Sequence, residues 1–217
     1  MGSSVKTFIF LDLETTGLNK DLPKITELCL VAVHASSLKT PTTNDLGEIQ
    51  LPRVMDKLCL CVDPVKPLTP KASEITGLDN ELLRICEKQT FDVSLINTFL
   101  EFINRQAQPV CLVAHNGFNY DFPLLKTELN QQNHDLSSSI LCVDSLQAFR
   151  YLHNQGGARR GKFSLIEIYR QFFGKEPNFS HYAEGDVLTL ILIFICKAES
   201  LLDVASYKQW GDIEPMY

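Results

Sequence analysis

Residues 8–18 read FIFLDLETTGL, and two carboxylates, Asp12 and Glu14, stand inside this otherwise apolar run. Aromatic and β-branched residues over 7–13 predict a strand. Burying an ionised carboxylate is costly unless it is paired or holds a cation. Side chains i and i+2 of a strand share a face, so the two acids project together at its C-terminal end. Two like charges so placed raise each other's pKa unless a cation neutralises them. The TTG that follows supplies a turn where backbone can approach a ligand. Taken alone, the pair also fits a strand end with two exposed acids, so the rest of the chain has to decide.

Working outward, ITELCLVAVH (25–34) predicts a second strand across a turn containing Pro23. RVMDKLCLCV (53–62) predicts a third, ended by Pro64 and Pro67, and the polar segment 36–52 between them reads as a loop. Three strands in succession imply an antiparallel start. The pattern then changes. TPKASEITGL (69–78) reads as a short capped helix, with Ser73 and Glu74 near its start and Gly77 ending it. Apolar residues at 91, 95, 96, 99, 102 and 103 give 91–106 the helical period. PVCLVAH (109–115) reads as a fully buried strand, and 120–132 as a helix with Pro123 in its first turn. SILCVDS (139–145) is another strand, followed by LQAFRYL, a basic loop NQGGARRGK (154–162), and helices over 163–174 and 182–203. Strands that start antiparallel and then alternate with helices predict an α/β fold, a mixed central sheet flanked by helices on both faces.

A chain of 217 residues can bury one sizeable core, and a single domain over 1–217 is expected. Its 45% hydrophobic and 21% charged residues are those of an ordinary globular protein. A formal charge of -6 argues against coating nucleic acid through bulk positive charge, but not against gripping it at one local patch. The seven cysteines are scattered and mostly lie in apolar runs; reduced core thiols in an intracellular protein, cytoplasmic or nuclear, are the favoured reading. No secretory leader or myristoylation signal precedes the first strand. The run VLTLILIFIC (187–196) is too short to span a bilayer and reads as a core helix, so no membrane partner is expected.

Two further stretches bear on the acids. HNGFNYDFP (115–123) ends a buried strand and opens a helix, putting Asp121 at the strand-to-helix edge where ligand sites of α/β sheets cluster. By itself Asp121 is equally a charge stabilised by the helix dipole. SHYAEGDVLTLILIFIC (180–196) carries His181 and Asp186 ahead of the most apolar helix. Five residues apart on one helix, they would lie about 140° apart around the axis. To converge, His181 must sit in the preceding loop or first turn; otherwise it is a cap or a surface residue. Glu184 is the competing acid, off the face of Asp186. Four oxygen-donor acids suit Mg²⁺ or Mn²⁺ rather than zinc. Two such ions about 3.5–4 Å apart would activate a water and stabilise the departing oxygen of a phosphodiester. Imidazole, with a free pKa of about 6.5, is a fitting general base for that water.

FLDLETTGL, HNGFNYDF and HYAEGD resemble the three Exo motifs of the DEDDh (DnaQ-like) 3′→5′ exonucleases. The matching residues are Asp12, Glu14, Asp121 and Asp186, with His181 as the histidine of that set. ITELCLVAVH, RVMDKLCLCV, ASEITGL, CVDSL, AEGDVLTLI and the terminal IEPMY extend the likeness over residues 7–217, to the three-prime repair exonuclease (TREX) family. The resemblance implies a ribonuclease-H-like fold and a homodimer. It implies a two-Mg²⁺ enzyme, with Mn²⁺ able to substitute, that removes 5′-mononucleotides from DNA 3′ ends, single-stranded or frayed ends being preferred. Residues 36–52 lack the polyproline run of one branch, and no long hydrophobic tail follows Tyr217, which favours the shorter, tail-less branch.

The resemblance also implies that Leu18 and Ile75 wedge the terminal base and that Tyr120 contacts the end phosphate. Apolar wedging reads no base edge, so sequence specificity should be low. From the sequence alone, Leu18 and Ile75 could also be plain core residues. Arg159, Arg160 and Lys162 match a basic loop that would hold the strand's phosphates, or form a solvated face. The nearest rivals are an exonuclease of the same chemistry acting on RNA and a non-catalytic nucleic-acid-binding relative.

Overall fold

The strand that opens the chain forms the middle of the sheet. In a computed structural model, which describes residues 5–155 and 162–217, β1 (Thr7–Thr15) lies between β2 (Ile25–His34) and β6 (Val110–Ala114). It pairs antiparallel with β2, Asp12 facing Cys29 and Glu14 facing Glu27, and parallel with β6. Outside β2 runs β5 (Asp56–Cys61), antiparallel; outside β6 runs β7 (Leu141–Asp144), parallel, then β8 (Tyr207–Gln209), antiparallel. The order β5-β2-β1-β6-β7-β8 is a mixed sheet. β1 and β6 are buried along nearly their whole length because both faces are covered.

One face packs against α4 (Val93–Asn104) and α5 (Asp121–Gln131), through Ile96, Phe99, Phe122 and Leu125 against Ile9, Leu11 and Leu112. The other packs against α6 (Ser145–Gln155), α7 (Leu165–Phe173), α8 (Ala183–Ile195) and α9 (Ala198–Val204). Phe8 and Phe10 meet Phe194 of α8 there, Phe10 edge-on at a ring separation of 5.3 Å. Side-chain alternation along β1 puts Asp12 and Glu14 on this α8 side. Among the described residues no helix is long and apolar enough to cross a membrane. All seven cysteines are free.

Several boundaries differ from the sequence reading. Segment 36–52 is not simply loop: it holds α1 (Ala35–Lys39) and a small hairpin of β3 (Thr42–Thr43) and β4 (Ile49–Gln50). The Asn44 carboxamide oxygen, accepting from Leu46 and Glu48 backbone N–H, builds that turn. β5 starts at Asp56 rather than 53 because the β2 ladder ends at its partner Ala32. The helix α2 (Pro70–Thr76) is capped by Thr69, whose hydroxyl accepts from Ala72 N–H, and not by Ser73. α3 (Asn80–Ile85), capped by Asp79, and the exposed edge strand β8 are additional. The expected 182–203 helix is two helices, α8 and α9, broken at Cys196 and Lys197 with no proline or glycine to mark the break.

Candidate active site

Asp12 and Glu14 reach the C-terminal end of β1, where pairing with β2 shifts register between Glu14 and Thr15. Two helix N-termini meet them. Asp121 is the first residue of α5, and its buried carboxylate accepts the backbone N–H groups of Leu13 and of Asp121 itself, which ties it to the β1 segment that carries the two acids. Asp186 lies in the first turn of α8 and accepts the His181 N–H at 3.1 Å through Oδ2. Its Oδ1 is buried without a hydrogen-bond partner. His181 precedes the helix, in left-handed backbone with φ 65°. Ligand atoms of Glu14, His181 and Asp186 all lie within 4.8 Å of one another, a spacing that can hold a cation. Glu184 turns away into an ion pair with Lys57 at 2.8 Å.

Glycines make these approaches possible. A Cβ on Gly185 would stand 2.0 Å from the Phe179 carbonyl, so only glycine lets the 179–182 loop lie on α8. A Cβ on Gly117 would stand 2.6 Å from the Ala114 Cβ and 2.7 Å from the Phe122 ring, so the turn into α5 needs glycine too.

The acids repel. Burial, then Asp121, Asp186, Glu14 and Glu27, pushes Asp12 well above the carboxylate range. Burial, then Asp186, Glu27 and Asp121, lifts Glu14 to about 8. Burial raises Asp121 to about 7, and it also raises Asp186, offset in part by the His181 N–H and charge. None of the groups that shift Asp12 or Glu14 is a cation. The cluster therefore fits one or more divalent cations: hard oxygen donors, a buried orphan oxygen and no counter-charge beside Asp12 or Glu14.

Beside Glu14 opens a cleft of about 440 Å³ lined by Leu13, Leu18, Ile75, Thr69 and Tyr120. Leu18 is 65% and Ile75 41% exposed, so neither is a core residue. The Tyr120 hydroxyl donates to the Gly17 carbonyl at 2.5 Å and shares a hydrogen bond with Thr15 Oγ1 at 2.6 Å. Lys162 is exposed where the chain leads into α7; Arg159 and Arg160 lie outside the described residues.

Two residues that the sequence reading passed over, Glu27 and Asp144, brace the site, and His115, which the sequence offers as a polar group satisfying buried backbone, does that. Glu27 accepts the Ala183 N–H at 3.1 Å and ties the start of α8 to β2. Asp144, at the end of β7, accepts backbone N–H groups from Asn116, Phe118 and Leu146 and so folds the turn that delivers Asp121. His115 is buried, which lowers its pKa; its Nε2 donates to the Phe163 carbonyl and its Nδ1 meets Ser145 Oγ. Glu27 and Asp144 each carry the signal that exposed Asp12, an acid inside an apolar strand.

Residues 9–194 match the family model described as Exonuclease (RNase_T). The chain is 49% identical over 219 residues to the three prime repair exonuclease 2 of Homo sapiens, covering 98% of this chain and 93% of that protein. It is 45% identical over 226 residues to the three-prime repair exonuclease 1 of Homo sapiens, covering 98% of this chain and 71% of that one. Among solved structures, cell-death related nuclease 4 superposes with TM-score 0.67 at 16% identity, over 94% of this chain and 66% of that one. The exonuclease I of E. coli, in complex with a dT13 oligonucleotide, superposes with TM-score 0.66 at 16% identity, over 91% and 42%. At that identity the structural likeness speaks for the fold alone, a ribonuclease-H-like exonuclease fold. The chain belongs to the Exonuclease (RNase_T) family, within its three-prime repair exonucleases, and is a 3′→5′ exonuclease.

Proposed function

We propose that this exonuclease is divalent-metal-dependent, acts on DNA with a preference for single-stranded or frayed 3′ ends, and releases 5′-mononucleotides. The observation that supports this most is the convergence of one buried and three half-buried carboxylates with His181, beside Asp186, as the one positive group among the causes that shift them. Asp12, Glu14, Asp121 and Asp186 would hold the metal, Mg²⁺ being the expected ion and Mn²⁺ a substitute. Bound there, a pair of divalent cations supplies Lewis acidity to a water and to the departing oxygen of the phosphodiester.

The chain's own residues do the rest. His181, held by the Asp186 contact to its backbone N–H, stands free at the rim of the acids and takes the proton of the attacking water at an imidazole nitrogen. Leu18 and Ile75 wedge the terminal base in the apolar cleft, which reads no base edge and so gives little sequence preference. Tyr120, fixed by Gly17 and Thr15, faces the end phosphate from the same cleft. Arg159, Arg160 and Lys162 add phosphate contacts whose strength falls with salt. Two copies associate as a homodimer, the property carried by the family resemblance.

Digestion of 3′-labelled and 5′-labelled oligonucleotides, with Mg²⁺ and with chelator, tests polarity and metal dependence together. Loss of the 3′ label first, as mononucleotide and only with metal, is the expected result; metal-independent release would overturn the assignment. A matched RNA strand tests the rival substrate, since the 2′-hydroxyl is the handle that differs.

A further inference from the structure

Two large aromatic rings flank His181 and take no part in either core. Phe179 is 73% and Tyr182 54% exposed. Their centroids lie 6.0 Å apart with the planes at 76°, an edge-to-face pair. Phenylalanine in water forgoes the gain that burial would bring, so an exposed ring beside a reacting centre needs a reason.

The backbone beneath the rings is fixed. Tyr182 N–H donates to the Phe179 carbonyl at 3.2 Å, and Asp186 N–H donates to the Tyr182 carbonyl at 2.9 Å. Gly185 lies so close below that no side chain would fit. Phe179 and His181 both occupy left-handed backbone, φ 56° and 65°, which non-glycine residues adopt only when the surroundings enforce it. The loop is thus a rigid, strained support that leaves two π-surfaces in solvent.

Their placement completes the picture. Glu14 lines the apolar cleft, and its carboxylate also lies within 4.8 Å of a His181 donor atom. Phe179 and Tyr182 flank that histidine and do not line the cleft. The acids thus adjoin the cleft through Glu14 and the ring-bearing loop through His181, so a strand whose phosphate lies at the acids has both within its reach. A chain of formal charge -6 also has little bulk attraction for a polyanion, which favours a grip that does not depend on charge.

Resting on the exonuclease reading above, we propose that Phe179 and Tyr182 form a stacking platform for a nucleobase of the substrate strand on the 5′ side of the scissile phosphodiester, the terminal base occupying the Leu18–Ile75 cleft. Every base has a π-face, so such a platform is tolerant of sequence and adds affinity that salt does not screen.

Two substrates isolate it: the p-nitrophenyl ester of thymidine 5′-phosphate, which has one base, and a twelve-residue oligo(dT). In the F179A/Y182A double variant, the ratio of kcat/KM on the oligonucleotide to that on the ester should fall about tenfold, through KM, with an unaltered slope against salt. F179W, which keeps a π-surface, should hold the wild-type ratio. In chelator, 2-aminopurine placed second from the 3′ end should be quenched on binding wild-type protein and not the double variant. An unchanged ratio, or equal losses on both substrates, would overturn the platform, the latter by tracing the effect to His181. Wild-type protein that cleaves neither substrate with Mg²⁺ would instead bring down the exonuclease reading and the platform with it.

Discussion

The molecule buries carboxylates in two contrasting ways. Glu128 on α5 is 4% exposed, yet Lys24 reaches it at 3.0 Å, and that charge works against the upward push of burial. Asp12, Glu14, Asp121 and Asp186 sit among one another, with only His181 near Asp186 as positive company. Each region keeps one orphan oxygen, Glu128 Oε1 and Asp186 Oδ1, so an unpaired atom does not separate them. Charge does. The first region is closed within the protein, whereas the second is balanced only by protons or by a cation from outside.

The largest effect should come from removing one acid of the second kind. Asp186→Asn should lower kcat more than a hundredfold while oligonucleotide binding persists, and Glu128→Gln should leave kcat within about threefold. Comparable losses in both variants would erase the distinction. Next, His181→Ala should cost several hundredfold in kcat, the range general-base catalysis supplies, read as rate against pH beside the wild type.

Stability gives a third contrast. The acids titrate near pH 4 when unfolded and near 7–8 for Asp121 and Glu14 when folded, so the folded state binds more protons between those limits. Their contribution is fully present below about pH 4 and is lost as pH rises through about 8. Chelated protein should drop by roughly 5–10 °C in Tm between pH 5 and 8, and Mg²⁺ should remove most of that slope. A flat profile in chelator would mean that neither burial nor mutual repulsion holds the acids above their unfolded range. A smaller change is expected at the closed pair: Lys24→Met strands Glu128 and should lower Tm by a few degrees with activity retained. Smallest in turnover, replacing Arg159, Arg160 and Lys162 by alanine should weaken single-stranded DNA binding and flatten its salt dependence.

What the sequence revealed follows the same division. β1, β2 and β6 were legible because runs such as FIFLDL and VCLVA have no solvent face and admit few alternatives. The acids were legible because ionisable groups in such runs demand an explanation. Angular spacing requires His181 to precede its helix if it is to meet Asp186, and it does precede it, in the turn before Ala183. β8 was not legible: three exposed residues, Tyr207 to Gln209, pair with β7 at an edge and have no apolar pattern. Nor was the Asn44 turn, which depends on one carboxamide accepting two backbone N–H groups. Glu27 and Asp144 were readable in principle by the rule applied to Asp12. Their partners are backbone amides distant in sequence, and only the folded chain supplies those.

Asp12 and Glu14 ride on a strand bonded on both flanks, antiparallel to β2 and, through its first residues, parallel to β6. Amides there should be among the last to exchange with deuterium, opening only when the whole molecule opens. The two β1 acids cannot loosen ahead of the scaffold, so any heat loss of activity that precedes melting should trace to the His181 loop or the helix starts and not to β1.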